Sequence, residues 1–116
     1  MTKFPAPEAI IKEWILERAD AGVVRAKVVS DVSCTDGVMT VKIDPDKSIE
    51  RYAWDWLNEN SLDTPGEFYA TEFCWTNDQS TYLREMVTEL RVVDAAGNIL
   101  ESVDTAAFQR KSNPQI

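Results

Sequence analysis

Nine carboxylates stand between Asp44 and Asp78, namely Asp44, Asp46, Glu50, Asp55, Glu59, Asp63, Glu67, Glu72 and Asp78, against only Lys47 and Arg51. These 35 residues carry −7 of the chain's formal net charge of −8. Carboxylates at such density suit three tasks: holding a hard cation, general acid–base catalysis, or meeting a basic partner. A Ca²⁺ loop needs oxygen ligands at alternating positions and a glycine at its sharp turn, whereas the nearest set, Asp44, Asp46 and Glu50, is interrupted by Pro45. Capping of a helix by Asp44, with acids in the first turn, explains that set more simply.

For acid–base chemistry the candidates are Glu72, Glu85 and Glu89, with Tyr69 and Tyr82 beside them in the sequence. A carboxylate turned into a cavity by a curved sheet would have its pKa raised by desolvation and serve as a base. Each of these acids also fits an outward position in its local alternation, and a solvated face is the simpler expectation. The chain has no histidine. That removes the usual proton shuttle at neutral pH, the Ser–His and Cys–His dyads and the commonest transition-metal ligand. Cys34 and Cys74 are far apart and have no activating histidine, so they read as two free thiols packed as small hydrophobes in a reducing cytoplasm. No cofactor and no metal is expected.

The acidic balance gives no support for direct nucleic-acid binding, which runs on phosphate neutralisation by Lys and Arg. No apolar run approaches the roughly 18 to 20 residues that span a bilayer, and the N-terminal residues lack a secretory apolar core. No membrane role is expected.

The elements that must position these acids are read from periodicity. The length of 116 residues, with 44% hydrophobic and 28% charged, fits one domain over 1–116 with loose ends at 1–6 and 111–116. Pro7 and Glu8 suit the first turn of a helix that runs to about Asp20 and stops at Gly22, with Ile10, Ile11, Trp14, Ile15 and Ala19 on one side. From Val23 the period becomes two, placing Val24, Ala26, Val28, Val32 and Cys34 on one face of a strand. Asp36-Gly37 is a type I′ hairpin signal. It predicts Cys34 opposite Met39, Val32 opposite Val41 and Ser30 opposite Ile43. On the other face it pairs Thr35 with Val38, Ser33 with Thr40 and Asp31 with Lys42, so apolar meets apolar and acid meets base.

A second helix is predicted from Asp44-Pro45 to about Asn60, its apolar stripe formed by Ile49, Tyr52, Ala53, Trp56 and Leu57. Thr64-Pro65-Gly66-Glu67 has capping-box spacing but precedes a β-rich run, and is read as a turn. Strands are predicted over 68–76, 82–93 and 99–108. The turn Asp94-Ala95-Ala96-Gly97 between the last two would set Val92 opposite Leu100 and Arg91 opposite Glu101. The element order is then α-β-β-α-β-β-β, an α+β domain whose two helices pack on one face of a curved, mostly antiparallel sheet. As a string of elements, this order resembles the curved-sheet domains of the cystatin and nuclear-transport-factor-2-like groups, the latter with one early helix missing. The resemblance is one of topology and brings no motif and no site residue with it.

The second helix lies in the acidic stretch, and its predicted outward side carries Glu50, Arg51, Trp54, Asp55, Asn58 and Glu59. Trp54 lies about 140° from Ile49 around the helix, away from the apolar stripe. A large aromatic among acids has the composition of an interface anchor with a charged rim. The expected function is therefore that of a small, non-enzymatic binding protein that engages a basic protein partner through Glu50, Trp54, Asp55, Glu59 and Asp63. One form of such a partner is a nucleic-acid-binding protein whose groove the acidic chain occupies as a competitor. A second expectation is a cone that binds or transforms a small apolar molecule in a pocket lined by Trp14, Tyr52, Trp56, Phe73, Trp75 and Met86. A third is a homodimer formed through the open sheet face.

Overall fold

The computed structural model describes residues 6–47, 50–75 and 85–105, with the side chains of 47 and 72–75 outside that description. Helix α1 spans Pro7–Asp20 and begins at Pro7, whose missing N–H is not needed in a first turn. Its buried side is Pro7, Ile10, Ile11, Trp14 and Ile15. A single helical turn, α2 (Val24–Lys27), leads into β1 (Val29–Thr35). The expected strand thus starts five residues later than the alternation from Val24 suggested, because Val24 and Ala26 lie in a turn closed by hydrogen bonds to the Val23 and Val24 carbonyls.

The hairpin to β2 (Val38–Ile43) follows the predicted register at Thr35↔Val38, Cys34↔Met39, Ser33↔Thr40, Val32↔Val41 and Asp31↔Lys42. The last pair departs from it: Ile43 faces Val29, not Ser30, across an irregularity between Val29 and Asp31. A bulge there keeps an apolar residue opposite Ile43. Asp36 and Gly37 have φ of 52° and 83°, as a type I′ turn requires. The Gly37 carbonyl accepts from the Thr88 N–H at 2.8 Å, which ties this turn to the later half of the chain.

After a 3-10 turn at Pro45–Lys47 come α3 (Arg51–Asn60) and α4 (Pro65–Trp75), then β3 (Glu89–Val93) and β4 (Ile99–Asp104). The sheet order is β1-β2-β3-β4. Both hairpins are antiparallel, while β2 and β3 run parallel, with α3 and α4 in the crossover between them. The class is α+β with an antiparallel-rich, mixed sheet. Three expectations are corrected, the first being the strand read over 82–93, which within the described residues starts only at Glu89, with 85–86 helical. The second helix does not start at Pro45, and residues 68–75, read as strand, form α4. The string of elements behind the topological resemblance differs at that point.

The reason is visible at the α4 N-terminus. Thr64 Oγ1 accepts from the Glu67 N–H and Glu67 Oε1 accepts from the Thr64 N–H, each at 3.2 Å. This is a reciprocal capping box, and it outweighs the β preference of Phe68, Tyr69 and Thr71. Glu101 on β4 completes the cap, accepting from the Gly66 N–H at 2.8 Å and from the Thr64 hydroxyl.

One core joins Ile10, Ile11, Trp14 and Ile15 of α1, Tyr69 of α4 and Trp54 of α3 to Val32, Met39, Val41, Leu90 and Val92 of the sheet. Val28, Val32, Val41 and Ile43 all face it, as the hairpin reading required. The helices thus cover one sheet face. The opposite face presents Ser33, Thr40, Arg91 and Ser102 in one cross-strand row. In the second hairpin Gly97 has a φ of 93°, but Val92 pairs with Glu101 rather than with Leu100, one residue off the expected register. That shift turns Glu101 toward α4, where its carboxylate is used.

Candidate functional site

Of the nine acids, Asp55 and Glu59 lie on α3, Asp44, Asp46, Glu50 and Asp63 in the segments flanking it, and Glu67 and Glu72 on α4, while Asp78 lies outside the described residues. Helix α3 is held at its start by the Trp54 N–H donating to the Glu50 carbonyl and at its end by the Ser61 N–H donating to the Leu57 carbonyl. Its inward side is Trp54, with Ala53 and Leu57 half-buried beside it. Trp54 is 6% exposed, and the expectation that it stands on the solvent face is corrected. Tyr52 and Trp56, expected in the apolar stripe, are 81% and 55% exposed.

The helix is therefore rolled by about one residue, roughly 100°, from the predicted orientation. Arg25 of α2 fixes the roll. Its Nη2 donates to Asn58 Oδ1 at 3.2 Å, which draws the edge of α3 that carries Asn58 toward α2, with Trp54 buried and Leu57 half-buried. A count of apolar residues is blind to a polar side chain at the helix edge that accepts from a buried guanidinium.

Among the sequence-predicted binding residues, Asp55 and Glu59 lie one turn apart on the exposed side of α3, alongside Tyr52 and Trp56. Asp63 is exposed in the loop to α4, where its backbone carbonyl accepts from Arg25 Nη2 at 3.2 Å. Glu50 is half-buried at the start of α3 and pairs with Lys27 at 3.2 Å. Arg51 lies against Asp55 at 3.0 Å and also against Asp46. These pairs offset the charge of Glu50 and share one guanidinium between two acids. Glu59 and Asp63 have no basic partner among the described residues. The surface is thus an exposed aromatic pair with Glu59 beside it, and Asp63 continues the acidic character past the helix end.

Among the described residues the acid–base candidates Tyr69, Glu85 and Glu89 lie in different settings. Glu89 lies on the open sheet face, where hydrogen bonds from Arg91 and Ser102 hold its carboxyl below the usual range. Tyr69 is buried in α4, its hydroxyl donating to the Arg25 carbonyl at 2.6 Å, and burial pushes its pKa up, so it stays a neutral donor. Glu85 is exposed. Glu72 and Tyr82 lie outside the described side chains. Among the described residues no group of three or more Cys, Asp or Glu is placed to hold a metal ion, and no helix is long and apolar enough to cross a membrane. Cys34 is a free thiol whose pKa is raised chiefly by burial, so it is not an activated thiolate.

Of the residues expected to line an apolar pocket, Trp14 is in the core while Tyr52, Trp56 and Met86 are on the surface. Phe73, Trp75 and their environment lie outside the described side chains. Sequence reasoning missed Arg25, which is buried with its guanidinium over the Phe68 ring at 5.4 Å. A cation in the apolar run Val23 to Val29 is only a weak signal of this, since the run holds two and the other, Lys27, is exposed. Comparison of the chain with protein-family models, with curated proteins and with solved structures finds no match.

Proposed function

We propose that the chain is a binding protein that uses the exposed side of α3 to engage a basic protein partner. A single observation carries this: Tyr52 and Trp56, one helical turn apart, stand exposed beside Asp55 and Glu59. Large aromatics left in water on a helix face are costly unless something covers them, and an aromatic centre with a charged rim is the usual anatomy of a protein interface. The excess of carboxylates around it favours a partner bearing Lys and Arg, and the total charge of −8 would steer that encounter. The free thiol of Cys34 is compatible with a cytoplasmic setting.

The anchor is reassigned from Trp54 to Tyr52 and Trp56, with Glu59, Asp55 and Asp63 as the rim. A nucleic-acid-binding groove on the partner is one surface this arrangement would fill. Site-specific photocrosslinking from position 56 in the native host identifies the partner. Measuring its affinity for the parent chain and for a Tyr52→Ala, Trp56→Ala double variant then tests the surface, because both residues lie outside the core.

A further inference from the structure

Arg25 is 4% exposed, and it is the only charged side chain buried among the described residues. Both of its hydrogen bonds leave from Nη2, to Asn58 Oδ1 and to the Asp63 carbonyl. Its Nε is buried without a hydrogen-bond partner. Among the described residues no carboxylate forms an ion pair with it. Asn58, the Asp63 carbonyl and the Phe68 ring hold the guanidinium in place but do not compensate its charge, and buried charges are normally paired.

Beside Arg25 opens a pocket of about 380 Å³, walled by Val23, Val24, Leu57 and Phe68, with Ser61 and the exposed Asp63 at its border. Its size is within the range of small-molecule sites. We propose that this pocket binds a small monocarboxylate with an apolar body, the carboxylate seated on the Arg25 guanidinium. A planar guanidinium matches a planar carboxylate, and the four apolar walls match a hydrocarbon body. One negative charge balances the one buried positive charge. A dianion such as phosphate would bring a second charge into apolar walls next to Asp63, in a chain already at −8. The pocket meets the proposed partner surface only at Asp63, since none of Tyr52, Asp55, Trp56 and Glu59 lines it.

The test is titration of the isotope-labelled full chain with hexanoate, followed by amide chemical shifts, with hexanol and inorganic phosphate in parallel. Hexanoate is expected to give saturable shifts confined to 22–25, Leu57, Ser61 and Phe68, with hexanol and phosphate each binding at least about tenfold more weakly. Arg25→Gln is expected to weaken hexanoate by a similar factor. Because Arg25 also ties α2 to α3, a second variant, Leu57→Trp, fills the pocket while keeping the guanidinium, and is expected to abolish the hexanoate shifts. Hexanol or phosphate binding as tightly as hexanoate, shifts centred elsewhere, the absence of saturable shifts at millimolar hexanoate, or unchanged binding by Leu57→Trp would each overturn the proposal.

Discussion

Trp54 and Trp56, two residues apart on α3, face opposite ways: Trp54 is buried in the hydrophobic core, and Trp56 stands in solvent. Truncation should therefore separate them. Trp54→Ala is expected to cost about 3 to 5 kcal/mol of stability, the range for removing a buried aromatic. Trp56→Ala should change stability by no more than about 0.5 kcal/mol, as surface substitutions do. Chemical denaturation of both variants checks the assignment. The reverse order of sensitivity would mean that α3 is rolled the other way.

This pair also shows where the sequence was legible. In the first hairpin, Asp36-Gly37 fixed the turn, and the alternation then determined every partner from Asp31 to Thr35, because a one-residue slip would have turned the whole apolar set to water. The bulge after Val29 had one local sign, Ser30, which breaks the apolar alternation at the position expected opposite Ile43. In α3 two stripes compete, Tyr52 with Trp56 and Trp54 with Leu57, and local periodicity does not rank them. What ranks them is Asn58 meeting Arg25, a contact across 33 residues. In α4 the start signal was present in Thr64 and Glu67, but aromatic and β-branched residues argued for strand. Its full strength came from Glu101 on β4, a residue that no local window contains.

Gly66 and Glu101 give a second test. A Cβ at Gly66 would lie 2.7 Å from Glu101 Cδ and 2.9 Å from Val103 Cγ2, so any larger residue there forces the Glu101 and Val103 side chains to shift. Gly66→Ala is expected to destabilise by about 1 to 3 kcal/mol through overpacking. Glu101→Ala, which removes a capping acceptor, should cost about 1 kcal/mol. Because Glu101→Ala also vacates part of the space, the double variant should be more stable than the sum of the two predicts. Strict additivity in thermal or denaturant unfolding would contradict the close approach.

Three surface carboxylates, Asp31, Glu89 and Asp94, set a pH dependence. Glu89 is held below its ordinary range by its hydrogen bonds from Arg91 and Ser102, and Asp94 by the Asn98 side chain first and then by backbone N–H groups of its turn. As pH falls, the unfolded chain takes up these protons before the folded one does. Their stabilisation is thus present above the ordinary carboxylate range and is lost as pH falls through the folded values. Melting temperature should fall between about pH 5 and pH 3, and Asp94→Asn should flatten that fall. An unchanged slope in Asp94→Asn would show that the turn carries no linked proton.

The most direct test of the proposed interface compares photocrosslinkers placed at Trp56 and at Ser33, which is exposed on the opposite face of the sheet. Position 56 is expected to capture one discrete basic protein that position 33 does not. Association of that protein with the parent chain should slow as salt rises, because exposed charges are screened over about 8 Å at physiological ionic strength. Tyr52→Ala with Trp56→Ala should weaken it by about 2 kcal/mol or more while the domain stays folded. Equal capture from both positions, or a captured protein whose affinity neither salt nor the double variant alters, would contradict the assignment of α3 as the recognition surface.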